Sequence, residues 1–143
     1  MNVDSLNSIL KLKEWNQESI EAELGRLSRM VKHHEETLRA IEFEFEREME
    51  SFKKRMSEEP NPESLRLFHS YFADMTSKLN EHRRILKKRI EELKLTEQRL
   101  IKAYREKSLV EKLRDNELNN IKKHLKRIEQ KQLDEIATKR YNQ

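Results

Sequence analysis

The sequence predicts an all-α protein: two long helices forming an antiparallel coiled-coil hairpin, with the C-terminal helix overhanging. Three observations carry that expectation. From Glu63 to Gln143 there is neither Gly nor Pro, the residues that most readily interrupt a helix. Apolar side chains recur at heptad spacing on both sides of a single break. That break, Ser57-Glu58-Glu59-Pro60-Asn61-Pro62, is short enough to make its flanking helices antiparallel neighbours. The expected organisation is one coiled-coil domain over 1–143, with helix one at about 4–57, a turn at 58–62 and helix two at about 63–140.

Helix one has a cap candidate in Asp4 or Ser5. One seam position reads Val3, Leu10, Gln17, Leu24, Val31, Leu38, Phe45 and Phe52. The other reads Leu6, Lys13, Ile20, Leu27, His34, Ile41 and Glu48. The seam is weakest at Lys13 and Gln17 and richest from Leu24 to Phe52. Gly25 falls inside it, at a cost of about 1 kcal/mol relative to Ala. In the break, Asn61 is placed to cap helix two, with Pro62 at the first helical position, where its missing N–H costs nothing.

Helix two opens with Leu65, Phe68, Phe72, Met75 and Leu79, then Leu86, Leu93 and Leu100. Setting the two seams antiparallel puts Phe45 near Met75 and Ile41 near Leu79. The same register brings Glu44 beside Lys78 and Glu35 beside Arg83, but also Glu21 beside Glu97. Exposed pairs of this kind are worth about 0–1 kcal/mol each and select register more than they stabilise. Helix one is then used up opposite roughly Asp115. Beyond it Leu118, Ile121, Leu125 and Ile128 step 3-4-3 in another phase, with Tyr104–Leu113 expected as a stutter. An apolar stripe with no partner from its own chain invites an external one.

Composition narrows the function. Charged residues make up 41% and hydrophobic ones only 34%, too little apolar surface for a globular core and too well patterned for disorder. There is no cysteine, hence no disulfide framework and no thiolate chemistry; a reducing compartment is permitted. The first residues show no basic start followed by an apolar run, so no secretory leader is expected. No stretch reaches the ~20 apolar residues of a membrane span, so the protein is expected to be soluble.

No HExxH, Walker A, GxGxxG or nucleophile-elbow pattern occurs, and one Gly cannot build a phosphate-cradling loop. Carboxylate pairs such as Glu35-Glu36 and Glu91-Glu92 are expected on a solvated face, where nothing desolvates them into a general acid. His33 and His34 are adjacent and point to different sides of a helix, so they cannot share a metal. His34 and His82 fall on the seam as polar register residues. Catalysis, a metal and a cofactor are therefore not expected.

The net charge of +4 has a location. From Leu118 onward Lys122, Lys123, Lys126, Arg127, Lys131, Lys139 and Arg140 face only Glu129, Asp134 and Glu135, so the whole excess lies in this segment. Phosphate contacts are chemically open to it, making a basic coiled-coil nucleic-acid-binding protein one alternative. Aromatic interleaving is missing apart from Tyr141, which argues against base stacking and against a membrane-surface anchor. Off the seam, Trp15, Phe43, Tyr71, Ile85 and Leu95 add apolar surface on which partners can land.

Several stretches carry a resemblance. Ala103-Tyr104-Arg105-Glu106-Lys107, then Glu111-Lys112-Leu113, then Glu129-Gln130-Lys131-Gln132-Leu133-Asp134-Glu135-Ile136-Ala137 followed by Arg140, resemble the tail of the flagellar FliJ family. Leu6 to Leu27 resembles its entry helix, and Asn80-Glu81-His82-Arg83 after Phe72 resembles its middle. The similarity covers nearly the full length; the turn is the least family-like part.

The resemblance implies a non-catalytic, cytoplasmic stalk held peripherally at the inner face of the cell membrane by its partners, and monomeric. Those partners are the hexameric export ATPase FliI, which such a stalk engages much as the γ subunit enters the ring of a rotary ATPase, the export gate FlhA, and export chaperones. Leu118, Ile121, Lys122, Leu125, Lys126, Ile128, Leu133 and Ile136 are the implied ATPase-binding residues. Phe43, Tyr71, Met75 and His82 are the implied gate or chaperone residues. A homologous stalk of a virulence-type secretion system is the nearest alternative.

Overall fold

The computed structural model describes residues 2–142 and contains two helices, α1 (Val3–Glu58) and α2 (Pro62–Tyr141). No strand occurs among the described residues, and the chain is an all-α helical hairpin. α1 starts two or three residues earlier than a cap at Asp4 or Ser5 would set it. Asn2 is its cap: Asn2 Oδ1 accepts the Ser5 N–H at 2.7 Å, satisfying one of the orphan donors of the first turn. Asp4 lies inside that turn, where its carboxylate faces the positive end of the helix dipole.

At the other end the Glu59 N–H still reaches Arg55 O at 2.8 Å, so the turn is no more than Glu59-Pro60-Asn61. Asn61 Oδ1 accepts the Glu63 N–H at 3.0 Å and Pro62 is the first residue of α2. Gly25 lies within α1 on ordinary helical backbone. A Cβ there would meet only the Arg29 guanidinium, at 3.5 Å.

The chain divides into two compact units. One is Glu21–Gln98, containing the turn. Its core is Leu27, Val31 and Leu38 of α1 with Leu79 of α2, and burying each such side chain contributes about 1.5–3 kcal/mol. Thr96 is buried there too, and its hydroxyl donates to Glu92 O at 2.9 Å, so the polar atom is satisfied. Toward the turn the seam becomes aromatic. Phe45 meets Phe72 at a ring separation of 5.3 Å, and Phe52 stacks on Phe68 at 3.6 Å, the rings 3° from parallel.

The register stands as expected, since Phe52 on Phe68 and Lys13 on Glu106 keep, to within a residue, the alignment that sets Phe45 opposite Met75, but one ion pair differs. Arg83 reaches Glu42 at 3.2 Å, not Glu35, which instead pairs along its own helix with Arg39 at 3.8 Å. Phe45 also meets the ring of Phe72, one turn of α2 before Met75. Ring contacts, at about 0.5–1.5 kcal/mol a pair beyond area burial, hold that alignment more strongly than exposed charge pairs do.

The second unit is Met1–Ile20 with Arg99–Gln143. Leu6, Leu10 and Ile20 are buried, and on α2 only Ala103 is buried as fully. Lys13 bridges to Glu106 at 3.1 Å, using the polar seam position directly. The half-buried positions of α2 here include Leu100, Lys107, Val110, Arg114 and Glu117. With Ala103 they step 3-4-3-4-3 in one unbroken frame. Tyr104–Leu113 is therefore no stutter in the pairing. The apolar residues leave the covered face while the covered face itself keeps its phase.

Candidate partner-binding surfaces

Burial on α2 stops at Glu117; every described residue from Leu118 to Asn142 is exposed. α1 begins at Val3, so nothing of it remains to cover this segment. The helix continues nonetheless, because adding residues to a formed helix avoids the cost of nucleation, and Leu, Lys, Arg, Glu and Gln extend it well.

At about 100° per residue, Leu118, Ile121, Leu125 and Ile128 share one face, 40–55% exposed. Ile136 returns to that face eleven residues after Leu125. Leu133 does not; it lies about 80° round from Leu125, on the flank. Lys122 and Lys126 each follow a stripe residue and border the stripe about 100° away. Lys123, Arg127 and Lys131 complete the polar side. No ion pair occupies any of these five cations among the described residues; the only side-chain bonds here are Gln130 to Asp134 at 3.1 Å and Thr138 to Asp134 O at 2.8 Å. The stripe is thus bare, and its cations are free for another molecule.

The four residues set aside for a gate or chaperone are not one surface. Phe43 is 68% exposed on α1 and its ring meets no other among the described residues. Met75 and His82, seven residues apart, are half-buried on the seam side of α2. Tyr71 is half-buried beside the turn, its ring 6.5 Å from Phe68. A hydrogen bond to Glu48, with partial burial and the nearby Glu48 and Glu44 charges, pushes its phenol up to about 12.

Sequence reading missed what surrounds Tyr71. A trough of about 1020 Å³, open to solvent, runs beside the turn. Phe52, Met56, Leu67, Phe68 and Tyr71 form its apolar part, and Glu48, Glu58 and Glu59 stand on it with Arg55. The signal was present: five aromatic or leucine side chains crowd within 52–71 around Pro60 and Pro62. Phe52 and Phe68 look like plain seam positions until their stack leaves Leu67 outside, 73% exposed. A smaller hollow of about 430 Å³ is lined by Tyr104, Arg105, Ser108, Leu109 and Lys112.

Among the described residues no group of three or more His, Cys, Asp or Glu is placed to hold a metal ion, and no helix is long and apolar enough to cross a membrane. No curated protein and no solved structure matches the chain significantly. The family model described as "Flagellar FliJ protein" matches residues 1–143, the entire sequence. With its hairpin and its family-like tail, the chain belongs to the FliJ family, the non-catalytic stalk proteins of the flagellar export apparatus.

Proposed function

We propose that this protein couples the export ATPase to the export gate, with residues 118–136 of α2 engaging the ring of FliI. One observation supports this above others: Leu118, Ile121, Leu125 and Ile128 form an exposed apolar face on a helix that has outrun its own partner. A solvent-facing helix has no need of such a face, while a ring-shaped protein has an interior in which to bury it. Lys122 and Lys126 flank the stripe and steer approach to a complementary surface. FlhA and the export chaperones are the further partners of this reading, through the exposed Phe43 and the Tyr71 region, with Met75 and His82 reached from the seam edge. The site of action is the cytoplasmic face of the membrane, reached through these partners.

The test is purified protein titrated into the cognate FliI. ATP hydrolysis or hexamer assembly rises, while the protein alone hydrolyses nothing. ATPase activity unchanged across a full titration would sink the reading. The basic segment supports a second reading, nucleic-acid binding, which instead shows retention of RNA or DNA that collapses steeply with added salt.

A further inference from the structure

The trough beside the turn and the bare end of α2 are opposites in charge and alike in hydrophobicity. The protein as a whole is basic at +4, yet the trough carries Glu48, Glu58 and Glu59 against the single cation Arg55. Its apolar residues include Leu67, which is 73% exposed. Between Leu118 and Lys131 the tail carries Lys122, Lys123, Lys126, Arg127 and Lys131 against Glu129 alone, around the stripe Leu118, Ile121, Leu125 and Ile128.

We propose that the trough is a docking site for the C-terminal helix of a second copy of this chain. Size agrees. A helix about 10 Å wide rises about 5.4 Å per turn, so 1020 Å³ is the space of roughly two turns. Two turns take the stripe from Leu118 to Leu125. Geometry agrees as well: with that stripe against Leu67 and the Phe52–Phe68 stack, Lys122 and Lys126 border the contact and face the carboxylates on its rim. The contact joins unlike surfaces and is heterologous. Each added copy presents a fresh trough and a fresh tail, so assembly grows with concentration rather than closing as a dimer.

The consequence is regulatory. A tail held in a neighbour's trough has its stripe covered and is unavailable to another partner. This last step rests on the reading of the tail as the ATPase-engaging segment; the self-association itself does not.

The experiment therefore contains no ATPase. Full-length protein is followed by sedimentation velocity over a roughly hundredfold range of concentration in about 50 mM salt, where screening is weak. The weight-average sedimentation coefficient climbs with concentration and falls back at about 0.5 M salt. Glu58→Lys with Glu59→Lys, which spoils the trough, and Ile121→Asp with Leu125→Asp, which spoils the tail, each sediment as monomer. Mixed in equal amounts, the two variants form a dimer and nothing larger, since one supplies the sound tail and the other the sound trough. Circular dichroism matching wild type shows that both fold, and Leu67→Glu repeats the trough result without reversing a charge. A single sedimenting species at all concentrations in wild type overturns the proposal. So does a tail variant that associates like wild type, or a mixture that stays monomeric.

Discussion

Two neighbouring stretches of α2 invert the usual rule. From Arg99 to Glu117 the helix is covered by α1, yet the positions it presents include Lys107, Arg114 and Glu117, and its one fully buried residue is Ala103. From Leu118 to Ile128 nothing covers it, and there the presented face is Leu, Ile, Leu, Ile. If folding alone placed apolar residues, the order would be reversed. The covered stretch manages with Leu100, Ala103 and Val110 among charged side chains because α1 supplies Leu6 and Leu10, and because Lys13 meets Glu106 at 3.1 Å. The bare stretch spends its best apolar residues where its own fold gains nothing. That difference separates the hydrophobic residues that serve the fold from those the fold itself leaves uncovered.

The largest effect that sharpens this contrast is on binding. Ile121→Asp with Leu125→Asp should cost about 3–5 kcal/mol of affinity for the ATPase, on the order of a thousandfold, with helicity by circular dichroism left near wild type. Loss of most helicity on that substitution would show that the tail depends on its own stripe, and would break the comparison. The counterpart on the folding side is Leu27→Ala, at a position only 3% exposed. It should lower stability in urea unfolding by about 2–4 kcal/mol and leave the tail's affinity unaltered wherever the protein remains folded.

Smaller effects follow in order. Gly25→Ala should raise stability by roughly 1 kcal/mol, because the helical backbone suits Ala and its Cβ meets only the flexible Arg29. A midpoint moved downward in thermal unfolding would contradict this. A double-mutant cycle on Lys13 and Glu106 should return under about 1 kcal/mol, since both side chains remain more than a third exposed to screening solvent.

The smallest effect is on the ultraviolet titration of the tyrosines. Tyr71 should ionise near pH 12, and Glu48→Gln should bring it back toward 10. The sign is fixed by the neutral phenol being the favoured form in the fold. That contribution is fully present below pH 10 and is lost as pH rises toward 12.

The hairpin and the bare stripe were legible in the sequence because both rest on periodicity. A long run without Gly or Pro, one Pro-Asn-Pro break and a heptad leave few other folds. The register was legible too, but the choice of ion-pair partner was not. Charges recur every three or four residues along both helices, so Arg83 had both Glu35 and Glu42 within plausible reach, and each choice differs by less than about 1 kcal/mol. The choice rests on side-chain reach, which a pattern of positions does not contain. The Asn2 cap was missed because Asp4 and Ser5 are equally good capping residues by type. The trough was missed for a different reason. It is a property of two rings lying flat on each other, and no single residue announces it.

The three-residue turn also sets the order of events in the life of the chain. Its short loop brings Phe52 and Phe68 together at low entropic cost, whereas Lys13 and Glu106 meet across almost the whole sequence. Pairing is cheapest at the turn and propagates outward like a zip, reaching Leu6 and Leu10 last. On the ribosome those two leucines emerge well before the residues beyond Arg99 that complete their unit. The start of α1 is therefore the part of the paired seam that waits longest for its partner, and within that seam the first that a protease or a hydrogen-exchange experiment will find open.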